Sequence, residues 1–105
     1  MPLVTVVMRQ GRSREYKRSI LDAVHDSLVT AFQIPDRDRN QRIIEIEPGD
    51  LEHEGRAEDF VTIEMTVFPG RSPQAKKTLY REIVSRLQGL GIRGEDILIT
   101  CLLYT

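Results

Sequence analysis

The chain repeats itself. Residues 4–13 read VTVVMRQGRS and residues 61–72 read VTIEMTVFPGRS. Each copy opens as an alternating apolar strand and runs into a Gly-Arg-Ser turn, the second copy being two residues longer. A lysine follows each serine at the same interval, as Lys17 and Lys76. Apolar residues then recur at helical spacing, as Ile20, Val24, Leu28 and Ala31 in the first copy and Leu79, Ile83, Leu87 and Leu90 in the second. Ser13 and Ser72 are good helix N-caps, and Pro73 sits where the first helical residue tolerates proline. The helices are predicted to stop at Ile34-Pro35 and at Gly89-Leu90-Gly91. A further strand closes each half, at 42–47 (RIIEIE) and 96–104 (DILITCLLY). The polar stretch from Pro48 to Asp59, with Gly49 and Gly55, reads as a surface loop.

These elements predict an α+β fold in the order β-α-β-β-α-β. Two pseudo-repeated βαβ units, about 2–47 and 60–104, would share one four-stranded sheet with two helices on one face and right-handed crossovers. A length of 105 residues is that of one domain, 1–105. In the last strand Ile97, Ile99, Cys101 and Leu103 point one way, and Leu98, Thr100, Leu102 and Tyr104 point the other. Both faces are largely apolar, yet two helices can cover only one. A partner subunit is the simplest cover for the second face; a short edge strand with some exposed leucine is the alternative.

Composition narrows the function. Fifteen Lys+Arg against sixteen Asp+Glu give a formal charge of −1, unlike the basic balance of a general nucleic-acid binder. No apolar run approaches the ~20 residues of a membrane helix, and no signal-peptide pattern opens the chain. One cysteine, Cys101, makes neither an internal disulfide nor a Cys-cluster zinc site, and a reducing cytoplasm is the expected compartment. His25 and His53 lack the companions a metal site needs; His25 is expected on the helix surface or partly packed. No phosphate-cradling glycine loop is present.

Three features carry chemistry. Met1-Pro2 begins the chain; removal of the methionine would leave a secondary amine at the start of a strand, able to act as a base or to form an imine. Burial and nearby cations lower an amine's pKa toward the range that general base catalysis favours. The two Gly-Arg-Ser turns place Arg12 and Arg71 at helix N-termini, where they either grip a carboxylate or are simply solvated. The charged segment from Ile34 to Arg42 contains Asp38, which either handles a proton or water or belongs to a polar connection.

Together these residues resemble the tautomerase superfamily, which includes 4-oxalocrotonate tautomerase, malonate semialdehyde decarboxylase, the 3-chloroacrylic acid dehalogenases and macrophage migration inhibitory factor. The matching positions are Met1-Pro2-Leu3, Gly11-Arg12-Ser13 with Lys17, Phe32 with Ile34-Pro35, Asp38-Arg39 with Gln41 and Glu45, and Gly70-Arg71-Ser72 with Lys76 and Leu79-Tyr80. The resemblance covers nearly the whole chain, nearest to the longer, decarboxylase-like members. It implies a homotrimer with sheets inward, and a cofactor-free, metal-free enzyme in which Pro2 transfers a proton between oxygen and carbon of a small 2-oxo or enol carboxylic acid. It further implies that Arg71 and Arg12 bind the substrate carboxylate and that Asp38 assists proton or water handling. The small tautomerases' other arginine falls at about Asn40, with Arg39 or Arg42 as substitutes. Two departures stand out. The decarboxylase carries a second arginine where this chain has Pro69, and longer relatives close the site with a tryptophan-containing tail, whereas this chain has no tryptophan.

Three functions are therefore in view. The first is a keto-enol tautomerase. The second keeps the site but decarboxylates or hydrates a three-carbon acid, supported by Asp38 and opposed by Pro69. The third is a non-catalytic trimeric binding module, since fold alone does not fix function.

Overall fold

The computed structural model describes residues 2–103. Strand β1 (Leu3–Arg9) leads into helix α1 (Arg14–Phe32) and strand β2 (Gln41–Ile46); strand β3 (Val61–Val67) leads into helix α2 (Pro73–Gly89) and strand β4 (Ile97–Leu103). The sheet runs β2-β1-β3-β4. Each half contributes a parallel pair, β1 with β2 and β3 with β4, and the halves join through the antiparallel pair β1 and β3.

The two halves are built alike at residue level. Gly11 and Gly70 take φ of 108° and 106°, conformations that only glycine adopts without strain. The serines that follow have matching dihedrals, and each hydroxyl accepts the N–H three residues on, from Tyr16 and Ala75, at 3.1 Å. Each helix therefore starts from the same turn and cap.

The helix ends differ from one another and sharpen the expectation. Helix α1 stops at Phe32, with Gln33 in the left-handed conformation at φ 55°. Ile34 precedes Pro35 and is excluded from the helical region by the proline ring, so the chain leaves the helix earlier than Ile34. Helix α2 ends with Gly91 at φ 94°, the Gly91 N–H on the Gln88 carbonyl and the Ile92 N–H on the Leu87 carbonyl. This is a Schellman ending, and buried Ile92 packs against the core beside Leu87.

Alternation along the strands sets the core. Val4, Val6 and Met8 of β1 and Val61, Ile63, Met65 and Val67 of β3 are buried beneath Ile20, Val24, Leu28, Leu79, Ile83 and Leu87 of the helices. Burying each such side chain contributes about 1.5–3 kcal/mol. The opposite face has no cover. There Leu3, Ile44, Leu98 and Leu102 are 50%, 43%, 41% and 66% exposed. Register aligns Ile44, Val7, Thr62 and Leu98 in one row across the sheet, and Arg42, Thr5, Glu64 and Thr100 in the next. Arg42 Nε donates to Thr5 Oγ1 within that second row, at 3.0 Å.

Three local expectations shift. Strand β2 lies one residue earlier than expected. Strand β4 starts at Ile97, because Asp96 belongs to a short 3-10 turn, Gly94–Asp96; Tyr104, the expected end, lies outside the described residues. The 48–59 loop contains a 3-10 turn, Pro48–Asp50, and is fastened to the body. Buried Asp96 accepts from the Ala57 N–H at 2.9 Å and from Arg93 Nε and Nη2 at 3.0 and 3.1 Å, while Arg56 donates to the Glu95 carbonyl.

Candidate active site

The topology sends several chain segments to one end of the sheet. Strand β1 starts there, β2 starts there because it is parallel to β1, and β3 ends there because it is antiparallel. That end therefore carries Pro2, the Asp38–Asn40 segment before β2, and the Phe68–Arg71 segment after β3. Pro2 is buried. The start of β1 is fixed beside it, the Val4 N–H donating to the Asn40 carbonyl at 2.9 Å.

Arg71 is held by the end of α1. Its Nη1 donates to the Phe32 carbonyl at 3.0 Å, and its guanidinium carbon lies 4.6 Å from the Phe32 ring centroid. It thereby satisfies one of the carbonyls that the end of a helix leaves open and sits at the negative end of the helix dipole. An arginine has five N–H donors in a fixed fork. Among the described residues only one makes a hydrogen bond here. The rest of the fork can meet a carboxylate.

Asp38 is half-buried; its backbone N–H closes a turn on the Pro35 carbonyl at 2.9 Å, and the Asn40 amide reaches its Oδ1 at 3.4 Å. Arg39 turns toward α1. It is ion-paired with Asp22, and its Nε donates to Gln41 Oε1 at 3.1 Å. The hydrogen bond from Arg39 to Asp22 holds the Asp22 carboxyl below its ordinary range.

Arg12 lies at the opposite end of the sheet, where β1 ends. It is ion-paired with Asp59 and lies over the Tyr16 ring at 5.3 Å. Burial, with the Asp59 charge second, raises the Tyr16 hydroxyl's pKa. The β1–β3 register explains this end. Val4 pairs with Met65 and Val61 with Met8, so the two halves are related by a local twofold that maps position 2 onto position 59. Asp59 therefore occupies, at the Arg12 end, the place that Pro2 occupies at the Arg71 end. The fold brings Pro2, Asp38 and Arg71 to one end and leaves Arg12 at the other, bound to a carboxylate of its own chain.

Three aromatic or histidine positions add to the sequence reading. Phe32 is buried beneath Arg71, while Phe68, 53% exposed, supplies apolar surface at the Pro2 end. An aromatic directly before Pro-Gly-Arg is the signal that marks it. His25, expected on the helix surface or partly packed, is fully buried at 1% exposed, with Nε2 3.1 Å from Asp36 Oδ1. Cys101 is half-buried against the core, and burial raises its thiol pKa. A groove of about 850 Å³ runs between α1 and β2 and is lined by none of Pro2, Asp38 or Arg71. A depression of about 420 Å³ opens beside the start of β1, lined by Leu3, Thr5, Asn40 and Arg42 among others. Among the described residues no cluster of His, Cys, Asp and Glu fits a metal ion, and no helix is long and apolar enough to cross a membrane.

Two family models described as tautomerase enzyme match the chain, one over residues 2–56 and the other over 38–104. The chain belongs to the tautomerase superfamily. Among its curated relatives, the probable tautomerase YusQ of Bacillus subtilis (strain 168) is 30% identical over 106 residues, covering 94% of this chain and 84% of the relative. Among solved structures, FG41 malonate semialdehyde decarboxylase inhibited by 3-bromopropiolate superposes with a TM-score of 0.90 at 33% identity, covering 98% of this chain and 83% of that one. A fused 4-OT, solved as an asymmetric trimer, shares the fold at a TM-score of 0.86 and 18% identity, over 97% and 85% of the two chains. The tautomerase fold thus has both of its βαβ units in this one chain, and the family homologues support an enzyme.

Proposed function

We propose that this tautomerase-superfamily chain is a cofactor-free keto-enol tautomerase of a small 2-oxo or enol carboxylic acid, with the amine of Pro2 as the proton carrier. The observation that carries the reading is the convergence of Pro2, Asp38 and Arg71 at one end of the sheet. Loss of Met1 converts the Pro2 nitrogen from an amide into a secondary amine. Burial disfavours the charged form of such an amine and so favours the free base that a proton carrier needs. Arg71 binds the substrate carboxylate and stabilises negative charge on the enolate oxygen. Pro2 takes the proton from one position of the substrate and returns it to another; Asp38 orders water or the leaving proton. Phe68 shields the carbon skeleton from water, and Phe32 supports Arg71 from beneath.

A homotrimer in the cytoplasm is part of this reading. It is supported by the uncovered apolar sheet face and by the trimers solved for the fused 4-OT relatives. A second reading, decarboxylation or hydration of a three-carbon acid, draws on Asp38 and on the likeness to malonate semialdehyde decarboxylase. Pro69, in place of a second arginine, weighs against it.

The test is ketonisation of 2-hydroxymuconate or phenylenolpyruvate followed in the ultraviolet, using protein whose mass confirms a free Pro2. Pro2→Ala is expected to lower kcat by roughly 10²–10⁴-fold, the share that general acid–base catalysis supplies. Full activity in Pro2→Ala would sink the proposal. Turnover of a 3-oxo or acetylenic acid alone would favour the second reading.

A further inference from the structure

Polar contacts tie one face of α1 to the short segment that carries Asp38. His25 Nε2 meets Asp36 Oδ1 at 3.1 Å; Asp22 is ion-paired with Arg39; Arg39 Nε donates to Gln41; and Gln41 Nε2 donates to the Leu21 carbonyl at 3.0 Å. Leu21, Asp22 and His25 lie within about one turn of the helix, and residues so spaced share a side. The positions they hold, 36, 39 and 41, straddle Asp38 and Asn40. The segment itself is wound tight, with the Asp38 N–H on the Pro35 carbonyl and the Arg39 N–H on the Arg37 carbonyl, both at 2.9 Å. At its far end the Asn40 carbonyl accepts the Val4 N–H at 2.9 Å, just before β2 begins.

We propose that the Asp22–Arg39 pair, seconded by His25–Asp36, is a latch that fixes the Asp38 carboxylate relative to Pro2, and that Arg39 is a positioning residue rather than a ligand of the substrate. This rests on the reading of Asp38 given above. The guanidinium of Arg39 already spans two acceptors, Asp22 and Gln41, on the α1 side of the segment. The pair is part-exposed, and such pairs add little to global stability. Its value lies in geometry, because a misplacement of about 1 Å at a reacting group can cost roughly 10²-fold in rate.

Four variants test it: Asp22→Asn, Arg39→Ala, the two combined, and the charge-exchanged pair Asp22→Arg with Arg39→Asp. Each is assayed for kcat and KM on the Pro2-dependent ketonisation and for amide hydrogen exchange at residues 36–40. The latch predicts that both single variants lower kcat by about 10-fold or more with KM little moved. It predicts that the double variant is no worse than either single one, and that the exchanged pair recovers much of the rate. Exchange at 36–40 should quicken in the single variants and slow again in the exchanged pair. A raised KM in Arg39→Ala with unaltered constants in Asp22→Asn would overturn the proposal, since Arg39 would then be meeting substrate. Unchanged exchange would overturn it as well, and that readout stands even if Pro2→Ala shows the catalytic reading to be wrong.

Discussion

The Arg71 guanidinium bonds the Phe32 carbonyl at 3.0 Å while its carbon lies 4.6 Å from the Phe32 ring centroid, so one aromatic residue at the end of α1 both accepts from the arginine and stacks beneath it. The fork is thereby held in place by the chain's own residues. Arg71→Ala is expected to reduce kcat/KM roughly 10- to 100-fold, from about 1.5–3 kcal/mol for a charged hydrogen bond. Arg71→Lys should recover only part, because a lysine keeps the charge and loses the fork. Arg12→Ala, at the other end, should leave kcat/KM at the wild-type level. Steady-state kinetics on the three variants decide this.

Gly11 and Gly70 stand in the same left-handed turn, and a Cβ at either would meet nothing within 4 Å. Any penalty is then backbone strain and not a clash. Gly11→Ala and Gly70→Ala are expected to lose similar stability, about 1–2 kcal/mol each, by denaturant titration. Activity should separate them. Gly70→Ala shifts Arg71 and slows turnover, whereas Gly11→Ala leaves turnover unchanged.

Leu102 is 66% exposed on the uncovered sheet face. Sedimentation of the wild-type protein is expected to give a trimer. Leu102→Glu would place a carboxylate in a dry contact and should shift the species toward monomer. A wild-type monomer at micromolar concentration would contradict the assembly.

Asp96 is buried and accepts from Arg93 and from the Ala57 N–H, and these bonds hold its carboxyl below the usual carboxylate range, the Arg93 bond contributing most. A depressed folded-state pKa stabilises the protein above the unfolded value, and the stabilisation is lost as pH falls toward the folded value. Asp96→Asn should therefore lower the melting temperature at neutral pH, with the gap to wild type closing as the solution is acidified. Parallel melts across the acid range test this.

What the sequence made legible was local. Ser13 and Ser72 cap their helices as their position after Gly-Arg predicts, and the strands alternate as their apolar residues do, so order, face and the unpartnered side of β4 could all be read. What it hid was pairing across distance. Nothing near Arg12 announces Asp59, which lies 47 positions away, or that the local twofold would carry Arg12 to the end opposite Pro2. Arg39 and Asp22 are 17 positions apart, and only the return of β2 alongside α1 joins them. His25 shows the same limit. Its helical position is compatible with an exposed face, whereas in the fold it is buried and meets Asp36, 11 positions on.

The local twofold has an evolutionary corollary. A polypeptide has a single amino terminus, however many copies of a unit it contains. Chemistry that depends on a terminal amine cannot be duplicated by tandem fusion: joining two βαβ units end to end turns the second unit's terminus into a peptide link. In this chain an acidic side chain stands at that position, already engaged by the arginine that would have faced the amine. On the proposed reading, fusion leaves one half as a workplace and frees the other to become scaffold.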